Sequence, residues 1–233
     1  MTDTFELCTV GTVRSCFGER FGTPRQPGLV PSSTAELRLR PPFDVPETLS
    51  GLDGFSHVWI TYWFHENAHT RWTPTVRPPR LGGNRRMGVF ATRSPYRPNP
   101  VGLSVAEVVG VVTGPEWCGL ELRNHDLVDG TPVIDIKPYL PYADRLAEAH
   151  AADGFQRPRE RLSVLFDPEL EGRHPLSEPT WRALVEETLA ADPRPAYRHT
   201  ERNSREYGVR LGGYNVRFRV RDDEAEVFAI TAE

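Results

Sequence analysis

Cysteine is scarce in this chain: three in 233 residues, Cys8, Cys16 and Cys118. None stands at ligand spacing to another, and the histidine nearest to any of them is His125, seven residues past Cys118. A disulfide framework and a structural zinc are therefore not expected, and the three thiols read as small, buried or half-buried hydrophobes. Long apolar runs are missing too. The most apolar stretch, residues 58–64, is bounded by His57 and His65, far short of the roughly 20 residues a membrane-crossing helix needs. The first six residues carry two acids and no basic stretch, so no signal peptide is read and a cytoplasmic protein is expected. Absent as well are G-x-S-x-G, H-E-x-x-H, the Walker A sequence, C-x-x-C and G-x-G-x-x-G, which argues against the familiar nucleophilic hydrolases, zinc proteases, P-loop enzymes and Rossmann dinucleotide folds. His65 and His69 are four apart but have no third ligand at a compelling spacing, and no metal is expected. Lysine is all but missing: of 28 basic residues only Lys137 is one. Its compact ammonium differs chemically from a guanidinium, so it is either a chance survivor or a group the chemistry wants.

Charge is unevenly spread. The formal net charge is −4, yet residues 71–97 hold seven arginines and no acid, and residues 194–221 hold eight arginines against Glu201 and Glu206. The rest of the chain is strongly acidic. Such a molecule meets a polyanion at defined patches and repels it elsewhere. Arg80, Arg85 and Arg86 in the first stretch, and Arg194, Tyr197, Arg217 and Arg219 in the second, are the candidates for contact with nucleic acid.

Periodicity predicts many short strands: residues 7–14, 35–40, 55–64, 87–91, 103–113, 120–123 and 133–136. Few helices and no βαβ rhythm accompany them over the first 140 residues, which points to an antiparallel or mixed β-barrel or sandwich. Residues 67–86 read as loop. Beyond about residue 155 the pattern changes. Residues 162–166 are strand-like. Ser177 is placed to cap a helix whose apolar face is Trp181, Leu184, Val185 and Leu189, ending before Pro193. Tyr214, Val216, Phe218 and Val220 alternate with Asn215, Arg217, Arg219 and Arg221, a strand with one basic face, and a turn at residues 222–224 leads to a last strand. The fold is thus mainly β: a small β-barrel domain over residues 1–150 and a small α+β unit over residues 156–233, too small to be richly stable alone and packed on the first.

Three loops combine proline and glycine with Arg, Asn, Gln or Asp: residues 24–28, 92–100 and 125–139. Prolines fix φ and glycines permit tight turns, so these loops present polar groups in set directions, as a binding site requires. Asp126, Asp129 and Asp135 are the acids nearest to such a site, each a candidate to accept a proton, with Lys137 beside them. His57 reads equally as a packed core histidine and as a site residue. The inventory suits chemistry that depends on placement and charge rather than on a protein nucleophile.

Six blocks carry a resemblance, in order along the chain: Pro24-Arg25-Gln26-Pro27-Gly28; Phe55-Ser56-His57-Val58-Trp59; Arg77-Pro78-Pro79-Arg80-Leu81-Gly82-Gly83; Gly88-Val89-Phe90-Ala91-Thr92-Arg93-Ser94-Pro95; Arg97-Pro98-Asn99-Pro100-Val101-Gly102-Leu103-Ser104; and Asp129-Gly130-Thr131-Pro132-Val133-Ile134-Asp135-Ile136-Lys137-Pro138-Tyr139. They resemble the TrmO-type tRNA N6-methyltransferases (the TsaA-like or YaeB family), and Asp192-Pro193-Arg194-Pro195-Ala196-Tyr197 resembles the appended domain of bacterial members. The resemblance implies a β-barrel, usually a homodimer, that binds S-adenosylmethionine outside the Rossmann class. The activity it implies is methylation of N6 of threonylcarbamoyladenosine at position 37 of tRNA. It also implies cofactor- or substrate-side roles for Arg25, Gln26, Arg93, Arg97, Asn99 and the segment Asp129 to Lys137, Gly130 and Thr131 among it, with residues 192–197 reaching the tRNA; His57 is added to the cofactor-side candidates. Tyr96, Phe90 or Trp59 could face a sulfonium. The alternative is an S-adenosylmethionine-binding regulator, or a small-molecule methyltransferase, on the same barrel. On this reading residues 1–150 bind the cofactor without the tail, and replacing Arg194, Arg217 and Arg219 weakens tRNA binding alone.

Overall fold

The protein is described from a computed structural model, over residues 4–67, 71–83, 85–156, 161–195 and 205–233. Its strands are β1 (Gly11–Ser15), β2 (Thr34–Leu39), β3 (His57–Trp63), β4 (Thr75–Val76), β5 (Met87–Gly88), β6 (Val101–Thr113), β7 (Cys118–Arg123), β8 (Pro132–Pro138), β9 (Ser163–Phe166), β10 (Glu206–Leu211), β11 (Tyr214–Arg221) and β12 (Glu224–Ala232). Among the described residues two α-helices accompany them, α1 (Pro141–Asp144) and α2 (Pro179–Ala190). Six strands close into an antiparallel barrel in the order β1-β2-β7-β6-β3-β8. Closure leaves no unpaired edge in this sheet.

Alternation decides the barrel's inside. Val58, Ile60 and Tyr62 of β3 point inward and pack with Val13, Leu37, Ala106, Leu120, Leu122 and Val133. Each fully buried aliphatic side chain of this kind contributes about 1.5–3 kcal/mol. The long β6 pairs with β3 through its first half and with β7 through its second, and the register shifts at Val108/Gly110. Such a bulge bends a strand, and a closed barrel of short strands needs that bend.

The second core lies between α2 and a four-stranded sheet of order β10-β11-β12-β9. Trp181, Leu184, Val185 and Leu189 face this sheet as their spacing predicts. The helix begins differently from expectation: its N-cap is Glu178, without a side-chain cap, and Pro179 takes the first turn. Proline is suited there because its missing N–H would have no partner in any case. Strand β10 is a finding beyond the sequence reading, although Tyr207, Val209 and Leu211 alternate and Gly212-Gly213 forms its hairpin with β11.

Residues 16–30 fall within the expected barrel domain, but they also pack into the second core. Phe17 and Val30 are buried within it, with Cys16, Phe21 and Leu29 beside them. A side chain on Gly22, whose φ is +96°, would collide with Val209, so only glycine lets this loop lie against β10. Ser32 donates through backbone and side chain to Glu187 on α2, at 2.8 and 2.6 Å.

Two local expectations are corrected. Residues 87–91 are not one strand: Met87–Gly88 pairs with Thr75–Val76 inside the expected loop, and residues 89–91 then turn, closed by a Thr92 N–H to Val89 carbonyl bond of 3.2 Å. Of the cysteines, Cys16 is half-buried and Cys118 buried, but Cys8 is exposed, because it precedes the first strand and has no sheet to pack against. No described helix is long and apolar enough to cross a membrane.

Candidate active site

Strand registers bring residues 24–28, 92–100 and 124–131 to one end of the barrel, but the loop expected over residues 125–139 is corrected: Pro132–Pro138 is strand β8, which carries Asp135 and Lys137 away from that end. At that end β1 finishes at Ser15 and feeds residues 16–33, β3 finishes beside Tyr62, and residues 92–100 lead into the start of β6. There too β7 runs into residues 124–131, which turn back into β8.

Asp126 sits in this mouth. The Ser104 hydroxyl, itself buried, donates to its Oδ1, and no other side chain among the described residues donates to it. Packing around the carboxyl is dense, and burial pushes its pKa up to about 6, while the Ser104 bond and the positive charge of Arg93 pull the other way. Beside it, burial together with the Asp126 charge raises Tyr62, whose phenol stays protonated and able to donate. Tyr62 lies across Gly102, where any Cβ would strike the ring. That glycine makes room for the tyrosine in the barrel's mouth.

Arg93 reaches in from the 92–100 loop and donates to the Gln26 side-chain oxygen, joining the second polar loop to the first. The Gln26 amide in turn donates to the Arg25 carbonyl. Arg25 donates to the Arg194 carbonyl at 3.2 Å, and the Arg194 guanidinium holds both oxygens of Asp192 at 2.8 and 2.9 Å. A continuous polar chain therefore runs from the barrel mouth to the tail segment that resembles the family's appended domain.

The structure separates the other candidates from this cluster. Asp129 accepts the Ser15 N–H at 2.8 Å and pins the end of β1. Asp135 and Lys137 pair with each other, and their register partners are Thr61 and Trp59, on the outer side of β3, opposite to Tyr62. They are on the barrel's outside, since one residue along a strand reverses the face. His57 is also on that outer side, near Tyr139 with ring centroids 6.2 Å apart. It is five residues along β3 from Tyr62, about 16 Å at strand spacing. The buried Thr131 hydroxyl is used locally, on the Val128 carbonyl at 2.6 Å. Gly130, with φ +74°, makes the turn and donates its N–H to the Val13 carbonyl at 2.9 Å. Arg97 braces its own loop through the Thr92 carbonyl at 2.7 Å, while Asn99 stays exposed at the loop's end.

Among the nucleic-acid candidates, Arg194 is buried, 3% exposed, and held by Asp192, so it is not a surface charge. Arg217 pairs with Glu206 and Arg219 with Glu226 across the sheet. Arg85 and Arg86 are exposed. Tyr197 and the Arg80 side chain lie outside the described residues, as does His69. Sequence reasoning missed Tyr62 and Ser104, which it absorbed into strand cores. No group of three or more His, Cys, Asp or Glu among the described residues is placed to hold a metal ion.

Comparison with known proteins adds the following. Residues 12–145 match the family model for the tRNA-methyltransferase O N-terminal domain, and residues 159–233 match that for the TrmO C-terminal domain. The chain is 48% identical over 229 residues to the tRNA (adenine(37)-N6)-methyltransferase of Escherichia coli, covering 97% of each chain. It is 40% identical over 139 residues to a Methanothermobacter thermautotrophicus protein named "Probable S-adenosyl-L-methionine-binding protein", covering 59% of this chain and 91% of that one. Its fold superposes on the crystal structure of TrmO from Pseudomonas aeruginosa with a TM-score of 0.79 and 37% identity, covering 99% of both chains.

Proposed function

Because the chain belongs to the tRNA-methyltransferase O family, we propose that it methylates N6 of adenosine 37 in tRNA, using S-adenosylmethionine, and that this adenosine already carries the threonylcarbamoyl group. The observation that carries the reading is the barrel mouth, where Asp126, Tyr62, Ser104, Arg93 and Gln26 meet. S-adenosylmethionine supplies an activated methyl group on a sulfonium, so the protein needs neither a nucleophile nor a metal of its own. The residues present fit such a molecule. Arg25 and Arg93, both exposed at the mouth, and Gln26 between them, offer donors to a carboxylate and to an adenine edge. Asp126, with its pKa near 6, is ionised at neutral pH and accepts the proton that N6 sheds. Ser104 holds the carboxylate by one oxygen, and the Tyr62 phenol beside it helps to keep bulk water out. Position 37 lies in a single-stranded loop, so presenting its base costs little unstacking.

In the same reading, residues 1–150 form the catalytic domain and residues 156–233 the domain that receives the tRNA. The enzyme is a cytoplasmic homodimer. Its test is transfer of labelled methyl from S-adenosylmethionine to tRNA bearing threonylcarbamoyladenosine, with tRNA lacking that group as the comparison. Cofactor binding without transfer to either tRNA refutes the activity. Equal transfer to both refutes the threonylcarbamoyl requirement alone.

A further inference from the structure

The two arginine-rich stretches are not equivalent in the folded protein. On the tail sheet the arginines are largely neutralised: Arg210 pairs with Glu233, Arg217 with Glu206 and Arg219 with Glu226, and Arg194 is buried on Asp192. An arginine already paired must give up its carboxylate before it can hold a phosphate, so this face attracts a polyanion weakly. Residues 71–97 differ. Arg71, Arg77 and Arg86 are exposed, no acid occurs anywhere in the stretch, and among the described residues none of the three pairs with a carboxylate.

The same stretch shows solvent its large rings. Trp72 is 53% exposed and Phe90 76%. They belong to one small module: β4 pairs with β5, the Val89 N–H donates to the Pro74 carbonyl at 3.0 Å, and the Thr73 N–H donates to the Tyr96 carbonyl. The Arg97 guanidinium lies over one face of Phe90, 5.6 Å from its centroid, and large rings left exposed on one module mark a surface that meets something. Unpaired guanidinium groups interleaved with exposed rings are what a single-stranded nucleic acid needs, since phosphates take the charge and bases stack on the π-faces. Arg93 at the module's end touches Gln26 and acts on Asp126 through its charge, so a strand laid here leads to the barrel mouth.

We propose that residues 71–97 are the surface that grips the single-stranded RNA around the target base, with Trp72 and Phe90 as stacking platforms and Arg71, Arg77 and Arg86 on its phosphates. This rests on the tRNA-methyltransferase reading and names a surface for it. The paired arginines of the tail sheet are then structural charges, and the 156–233 domain receives the tRNA through groups other than these pairs.

The test uses the full chain and tRNA carrying threonylcarbamoyladenosine, with affinity measured by fluorescence anisotropy at several salt concentrations. Removing both rings, Trp72→Ala with Phe90→Ala, weakens tRNA binding on the order of ten-fold per ring and leaves the salt slope unchanged. Replacing Arg71, Arg77 and Arg86 by Ala lowers the salt slope by about 2, roughly 0.7 per phosphate released. Arg217→Ala with Arg219→Ala changes neither by more than about two-fold. The conservative pair Trp72→Phe with Phe90→Tyr keeps tRNA affinity, which separates stacking from a folding defect. The proposal is overturned if both alanine sets bind tRNA as the parent does, if the tail pair loses tRNA binding instead, or if the conservative pair fails as badly as alanine. It is overturned equally if the ring variants lose S-adenosylmethionine by calorimetry, or if they halve the sedimentation mass, since the rings would then line a cofactor wall or an interface between copies. In all these cases the parent still methylates tRNA; a parent that does not is the separate failure of the activity itself.

Discussion

Asp126→Asn tests the mouth most directly, because one substitution moves two independent quantities in opposite directions. Burial raises the carboxyl from 3.8 to about 6. A raised folded-state pKa means that the group's full stability is present below its unfolded value and is lost as pH rises through 6. At about 1.36 kcal/mol per unit, holding that charge in the mouth costs the parent about 3 kcal/mol at pH 8. The asparagine keeps the shape and a hydrogen bond to Ser104 but carries no charge. The variant is therefore more stable than the parent at pH 8, by up to about 3 kcal/mol, and the gain shrinks to nearly nothing by pH 4. Denaturant midpoints at pH 4, 6 and 8 read this out. Activity goes the other way: loss of a positioned proton acceptor lowers the single-turnover methyl-transfer rate about 10²–10⁴-fold. The parent's rate climbs with pH to a plateau above about 6, and the variant lacks that limb. A variant that is no more stable at pH 8 shows that the carboxylate is not held against its solvation. One that transfers methyl within about three-fold of the parent is not missing its base.

Other expectations concern single side chains. His125, buried against Phe17, is pushed down by burial from 6.5 to about 4. Its stability is full above pH 6.5 and is lost as pH falls through 4, so His125→Gln flattens a decline of up to about 3 kcal/mol between pH 7 and 4, seen in denaturant midpoints. Arg194→Ala removes the two hydrogen bonds that the buried guanidinium gives the Asp192 carboxylate and costs about 1.5–3 kcal/mol in the same assay, far more than losing an exposed arginine would. Gly102→Ala drives a methyl group into the Tyr62 ring; the melting temperature falls by several degrees, from about 1–3 kcal/mol of overpacking, and tRNA methylation falls with it.

Much of the barrel was legible because its strands alternate. Val58, Ile60 and Tyr62 declare an inward face with period 2, and the proline and glycine punctuation of residues 24–28 and 92–100 marks ordered loops. What could not be read was register. Tyr62, Ser104 and Asp126 meet only because β3 pairs with β6 as it does and the barrel closes behind them, and a lone strand gives no sign of which of its inward residues will line the mouth. The tail's charge balance could not be read for the same reason. A count of arginines over residues 194–221 is strongly positive, but Glu226 and Glu233, which lie outside that window, fold back as cross-strand partners. Lys137 is a third case. Its rarity suggested a function, and it stands on the barrel's outer face beside Asp135.

The division of labour between the two units is less clean than their sequences suggest. Residues 16–30 leave the barrel, bury Phe17 and Val30 in the tail's core, and return carrying Arg25 and Gln26. Arg25 is fixed by the Arg194 carbonyl, which exists only if the tail is folded in place. A chain cut at residue 150 would uncover Phe17 and Val30, worth about 1.5–3 kcal/mol each in burial, and would release the loop that presents Gln26 to Arg93. The barrel's own core does not depend on that contact, so such a fragment should still show β structure by circular dichroism. Its affinity for S-adenosylmethionine, measured by calorimetry, should nevertheless fall at least ten-fold, since a loop that must be ordered on binding subtracts that cost from the affinity. Adding back the separate tail would recover part of the loss. A fragment that binds the cofactor as tightly as the full chain would show that the 16–30 loop holds its shape unaided, and that the tail serves the tRNA alone.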